Sequence, residues 1–149
     1  MSRFRIELGT SKDDPDIRRI LRENPMGGKI SLALEREPNF FNSLSVEGRE
    51  NQVVLSREIE TEKVVGFGVR SIKPYFVNGE VIDLGYLGGL RLDKKYRNST
   101  LVPRGYKFFR ELDKDSKVPF YLTTIVEDNE TVMKILESGK AGLPTYNPF

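Results

Sequence analysis

The sequence has no cysteine, no histidine and no tryptophan. Without histidine there is no Ser-His-Asp or Cys-His triad and no His-ligated metal. Without cysteine there is no disulfide, thiolate nucleophile or zinc–thiolate cluster. No acidic cluster has the spacing of a calcium loop, so no metal is expected. An excess of one charge is missing as well: 24 Lys and Arg face 22 Asp and Glu, a net charge of +2. That leaves little drive towards nucleic acid unless the cations are concentrated in a patch. No apolar run approaches the ~20 residues of a membrane span. The start, Met1 to Leu8, alternates charged and apolar side chains instead of forming a signal-peptide core. A cytoplasmic protein is the expectation. The chemistry left open uses Asp, Glu, Tyr, Ser, Thr, Lys, Arg and backbone amides.

What is present reads as one domain over residues 1–149, 38% hydrophobic and 31% charged. Phe4, Ile6 and Leu8 share one face of an extended segment, which predicts a first strand. Asp14-Pro15 reads as an N-cap with proline at the first helical position, and Ile17, Ile20 and Leu21 give the stripe of a short helix ending near Asn24-Pro25. Glu35-Arg36-Glu37-Pro38-Asn39-Phe40-Phe41 opens a second helical turn. Val53-Val54-Leu55 predicts the second strand. The third runs from Lys63 to Val77, Asn78-Gly79 signals a tight hairpin, and the fourth strand follows from Val81 to Leu92. Gly85, Gly88 and Gly89 interrupt that fourth strand, the mark of a bulge or of a close backbone approach.

A polar loop, Asp93 to Thr100, leads into a helix marked by Leu101, Gly105, Phe108, Phe109 and Leu112. Pro119 to Val126 predicts a fifth strand, and Asp128-Asn129 caps a last helix that Gly139 ends. Strand, basic loop, helix and strand make a βαβ unit, so strands four and five should be parallel neighbours. The start of the Thr100–Leu112 helix then lies at the carboxyl end of the fourth strand, where open α/β sheets bind ligands. Its free amides, with Lys95 and Arg97 beside them, form an anion site suited to a diphosphate.

The pattern resembles the acetyl-CoA-dependent N-acyltransferases of the GNAT superfamily, best from Val64 to Leu136. The resemblance rests on Val64-Val65-Gly66-Phe67-Gly68, on Leu90 to Arg97 leading into the pyrophosphate loop, and on Asp128-Asn129-Glu130 opening the last helix. It implies an α/β (α+β) fold, with a mixed sheet in which an antiparallel meander precedes the βαβ unit. It also implies that acetyl-CoA lies along Leu90, Arg91 and Leu92 and reaches Arg97, Asn98, Ser99, Thr100, Leu101 and Asn129. An acetyl group would pass to a primary amine on a small molecule or peptide.

The sequence departs from the family pattern in three places. Thr100 and Val102 stand where the pyrophosphate loop usually has small residues. Leu136 occupies the last-helix position where many members carry a tyrosine that protonates the leaving thiolate; Tyr121 and Tyr146 are substitutes by residue type. Tyr86 stands near the place of the usual glutamate base, with Asp83 and Glu127 as the acidic candidates near the cleft. The fold normally adds two more strands after the last helix, and only 11 residues follow Ser138. The chain therefore reads as an N-terminal module of something longer, or as half of a homodimer that covers its fifth strand. The alternative to catalysis is a GNAT-like module that binds acyl-CoA or serves assembly. RNA binding through Lys94, Lys95, Arg97 and Arg104 lacks the interleaved aromatics such a surface uses.

Overall fold

The computed structural model describes residues 2–25, 35–97, 99–124, 130–138 and 143–147. Five strands make one mixed sheet in the order β1-β2-β3-β4-β5: β1 (Phe4–Leu8), β2 (Glu50–Glu58), β3 (Val64–Val77), β4 (Glu80–Leu92) and β5 (Tyr121–Leu122). The first three pairings are antiparallel, and β4 and β5 are parallel with Gly85 opposite Tyr121. The meander and the βαβ unit are therefore those expected.

Helices α1 (Asp14–Glu23) and α2 (Phe40–Ser43) cover one face of the sheet. There Ile17, Ile20, Leu21, Phe40 and Leu44 pack on Val53, Leu55, Phe67 and Val69. Helices α3 (Leu101–Leu112) and α4 (Glu130–Glu137) lie on the other, where Tyr106, Phe109 and Leu136 meet Val54 and Leu87. The alternation Val53, Val54, Leu55 feeds both layers, which is why this strand reads as a continuous apolar run.

Three local expectations change. Asp14 is not the N-cap of α1: Asp13 takes that place, and Asp14 is the first helical residue. The Asp14 carboxylate is 5% exposed and accepts the Phe40 amide at 2.7 Å and Arg18 Nε at 2.7 Å, so it ties α1 to the start of α2. Strand β2 extends well beyond Val53–Leu55 because its polar residues have cross-strand partners. Ser71 donates to Asn51 at 2.7 Å and Arg70 to Gln52 at 2.6 Å, each pair directly opposed in the ladder. Strand β5 is shorter than Pro119 to Val126: from Thr123 the backbone leaves the ladder, and residues 125–126 lie outside the described ones. Among the described residues no strand follows α4. Residues 143–147 instead return over α3, with Leu143 buried.

Candidate functional site

The departure of β5 opens the sheet. Gly85 donates its amide to the Phe120 carbonyl at 3.2 Å, Tyr86 faces Leu122, and among the described residues the pairing ends there. The next contact is made by a side chain: Thr123 Oγ1 donates to the Leu87 carbonyl at 2.9 Å. Gly85 is what lets β5 approach, since a Cβ there would lie 2.1 Å from the Tyr121 ring. On its other side β4 carries a bulge. Val69 faces Gly88 and Phe67 faces Arg91, so Gly89 and Leu90 stand against Gly68 alone. Gly89 adopts φ +66°, a conformation glycine takes without strain.

The result is a cavity of about 410 Å³ along the freed edge of β4. Because it passes around that edge, it reaches both layers: Phe40, Leu44 and Phe67 on one side, Tyr106, Phe109 and Leu136 on the other. Tyr86, Gly88, Gly89, Leu90 and Arg91 form its β4 wall, and Thr123 and Thr124 its β5 wall. Among the described residues its charged lining is Arg36, Glu47 and Arg91.

Arg91 is half-buried and, among the described residues, donates only to the neighbouring Leu90 carbonyl, at 2.8 Å. Burial first, and then the like charge of Arg97, push its guanidinium below its ordinary pKa. Such a cation gains from a negative ligand. Arg97 follows on a turn in which Asp93 accepts from the Lys95 amide, and among the described residues its side chain has no carboxylate partner. Thr100 has φ −84° and ψ 12° ahead of α3, so the non-glycine residue at this family position is accommodated without left-handed backbone.

On the opposite wall three hydroxyls form a chain. Thr123 spends its one proton on the Leu87 carbonyl, so it accepts from Tyr146, 3.2 Å away, and Tyr146 in turn accepts from Tyr106 at 3.0 Å. Burial raises the pKa of the Tyr106 hydroxyl, which keeps it protonated.

No protein-family model and no curated protein matches the sequence. Solved structures do. Glucosamine-6-phosphate N-acetyltransferase from Arabidopsis thaliana superposes with a TM-score of 0.65 at 13% identity, covering 99% of this chain and 99% of that one. A transcriptional regulator from Bacillus halodurans C-125 gives 0.70 at 16% identity, over 98% and 99%. AAC(6')-Iy, solved with the bisubstrate analogue CoA-S-monomethyl-acetylneamine, gives 0.68 at 12% identity, over 99% and 96%. The fold is that of the GNAT acetyltransferases. Since these likenesses run through nearly the whole of the other chains, they lend no support to an N-terminal module of a longer protein.

Within this GNAT fold the expected site residues separate. Tyr86 lines the cavity, its hydroxyl bonded to Thr124. Tyr146 joins the cavity wall through Tyr106 and Thr123. Tyr121 lies outside the cavity wall: its hydroxyl accepts from Arg70 Nε and donates to Asp113 Oδ1, each at 2.8 Å, and burial pushes its pKa up to about 12. Asp83 is also away from the cavity, in a two-bond ion pair with Arg49 at 2.9 and 2.6 Å. Leu90 and Arg91 line the cavity, whereas Leu92 and Leu101 flank a crevice of about 30 Å³ between β4 and α3. Ser99 bonds the Tyr96 carbonyl ahead of α3. Asn98, Glu127 and Asn129 lie outside the described residues.

Three wall residues carry no sequence signal of their role. Arg36 and Glu47 flank a short helix with no periodicity to read, and their pairing is tertiary. Tyr106 falls beside the apolar stripe of α3 and reads as core, which its ring is.

Proposed function

We propose that the protein is an acyl-CoA-dependent N-acetyltransferase acting on a primary amine. The observation that carries this reading is the freed edge of β4 from Gly88 onwards, bulged at Gly89 and walled by a cavity that reaches both layers. Backbone groups there that have no strand partner among the described residues are suited to hold an extended amide-bearing arm and to polarise an acyl carbonyl. The fold neighbour solved with a CoA-based analogue supports acetyl-CoA as the donor.

In this reading Arg91 and Arg97, with the amides opening α3, take the phosphates. The edge of β4 orients the thioester. The amine nitrogen forms the C–N bond as the C–S bond breaks, and the Tyr106–Tyr146 hydroxyl pair supplies the thiolate with a proton. These hydroxyls turn about one torsion without moving their rings. Tyr86 and Thr124 face the incoming amine. A second reading, a GNAT-like module that binds without transferring, is favoured by one observation: Leu136 puts a buried alkyl group where many members have a tyrosine.

The test is calorimetric titration with acetyl-CoA, followed by release of free thiol in the presence of an amine panel. Binding with amine-dependent thiol release is expected. Binding without release for any amine gives the second reading, and no binding removes both.

A further inference from the structure

We infer that the acceptor is a free α-amino acid with an apolar side chain, held between Arg36 and Glu47 in the cavity wall. The inference rests on the acyl-transfer reading and names its substrate class. With Arg91 committed to the donor, Arg36 and Glu47 are the remaining charged groups of the cavity lining among the described residues, and they are bonded to one another. Their side chains are 24% and 30% exposed, so the pair is neither sealed in the core nor fully solvated. The apolar lining of the same cavity includes Leu21, Phe40 and Leu44.

An amine acceptor arrives as an ammonium, and Glu47 is the carboxylate waiting for it. A bare monocation that took Glu47 would leave the partly buried Arg36 guanidinium without its carboxylate, a costly exchange in a half-dry site. A zwitterion removes that cost. Its ammonium meets Glu47, its carboxylate takes the two-pronged Arg36 fork, and the net charge of the cavity is unchanged. In an α-amino acid the two charged groups sit on one carbon, a spacing that fits between two residues already in contact. A peptide amino terminus lacks that adjacent carboxylate, and a polyamine adds charges with no partner among the described residues of the lining. The apolar wall selects an apolar side chain, and a cavity of about 410 Å³ shared with the acyl end leaves room for one residue, not a chain.

The proton count closes. The bound ammonium gives one proton to Glu47, which passes it to solvent. The neutral nitrogen then attacks the thioester, the Tyr106–Tyr146 pair protonates the departing sulfur and is reprotonated with the second proton of the nitrogen, and the products are the N-acetylamino acid and free CoA.

The experiment compares L-phenylalanine, its methyl ester and phenethylamine as acceptors for the full chain with acetyl-CoA, reading free thiol. L-Phenylalanine is expected to have a kcat/KM at least about tenfold above the other two, the size of one charge-assisted contact. Arg36→Gln should raise the KM for L-phenylalanine about tenfold and narrow that gap. Equal use of the ester or the simple amine overturns the inference while acyl transfer stands. No acetylation of L-phenylalanine overturns it too, and the acetyl-CoA titration then shows whether the acyl-transfer reading falls with it.

Discussion

Arg70 on β3 donates from Nε to the Tyr121 hydroxyl on β5 across 2.8 Å, although β4 lies between the two strands. The same guanidinium, 2% exposed, bonds both oxygens of Asp115 at 2.9 Å and Gln52 at 2.6 Å. It thus fixes the end of the α3 connection and the start of β5 together, and with them the point where the sheet opens. Arg70→Met should cost about 2–4 kcal/mol, since it leaves Asp115 and Gln52 without their donor. Urea unfolding of the variant would show the loss as a lower midpoint at unchanged slope.

Asp115 makes the same contact visible in acid. Its hydrogen bonds from Arg70, reinforced by the Lys117 amide and opposed by partial burial, hold its carboxyl below the ordinary range. A depressed folded pKa adds stability that is complete above the unfolded value, about 4, and is lost as pH falls through the folded one. The wild-type Tm should therefore drop more steeply than that of Asp115→Asn as pH goes below about 4. Parallel curves for the two proteins would remove Arg70–Asp115 from the acid response.

The order of elements was legible because each rests on local chemistry. Asn78-Gly79 makes the hairpin, with Asn78 at φ 51° and Gly79 at φ +83°, and the stripe of α3 buries Leu101 and Phe109. The βαβ order was enough to predict that β4 and β5 are parallel. The glycines of β4 announced the bulge, although not that Gly85 serves the Tyr121 ring and Gly89 the positive φ. The site was less legible. Asp83 looks like a base until Arg49, 34 residues away, takes both its oxygens, and Tyr121 looks like an acid until Arg70 and Asp113 claim its hydroxyl. Whether a polar group is spent on the fold or left to a ligand depends on partners distant in sequence, which periodicity does not record.

Arg97 and Lys94 separate the roles of two exposed cations in one loop. Arg97 lies near enough to depress Arg91 by like charge, and it closes the turn ahead of α3. Lys94 belongs to the turn itself, with no partner among the described residues. A planar guanidinium holds two phosphate oxygens where an ammonium offers a point charge. Arg97→Ala should weaken acetyl-CoA binding by about 1.5–3 kcal/mol, and Lys94→Ala by less than about 1 kcal/mol. Titration calorimetry on the two variants decides it, and equal losses would detach Arg97 from the phosphate site.

Tyr106→Phe tests the hydroxyl chain with the least disturbance to the core. The ring stays among Phe109, Tyr146 and the sheet, and Tyr146 still bonds Thr123. A lost neutral hydrogen bond of this kind costs about 1 kcal/mol, so the variant should fold. If the pair delivers the thiolate proton, kcat falls about 100-fold while acetyl-CoA affinity stays within about threefold. A solvent that reaches the sulfur directly would leave kcat unchanged, and the chain would then serve only to hold the Leu87 carbonyl where β4 parts from β5. Thiols of lower pKa leave as thiolates more easily, which gives a second reading of the same point. An acyl donor of this kind should restore turnover in Tyr106→Phe more than in the wild type. Equal gains in both proteins would place proton delivery outside the pair.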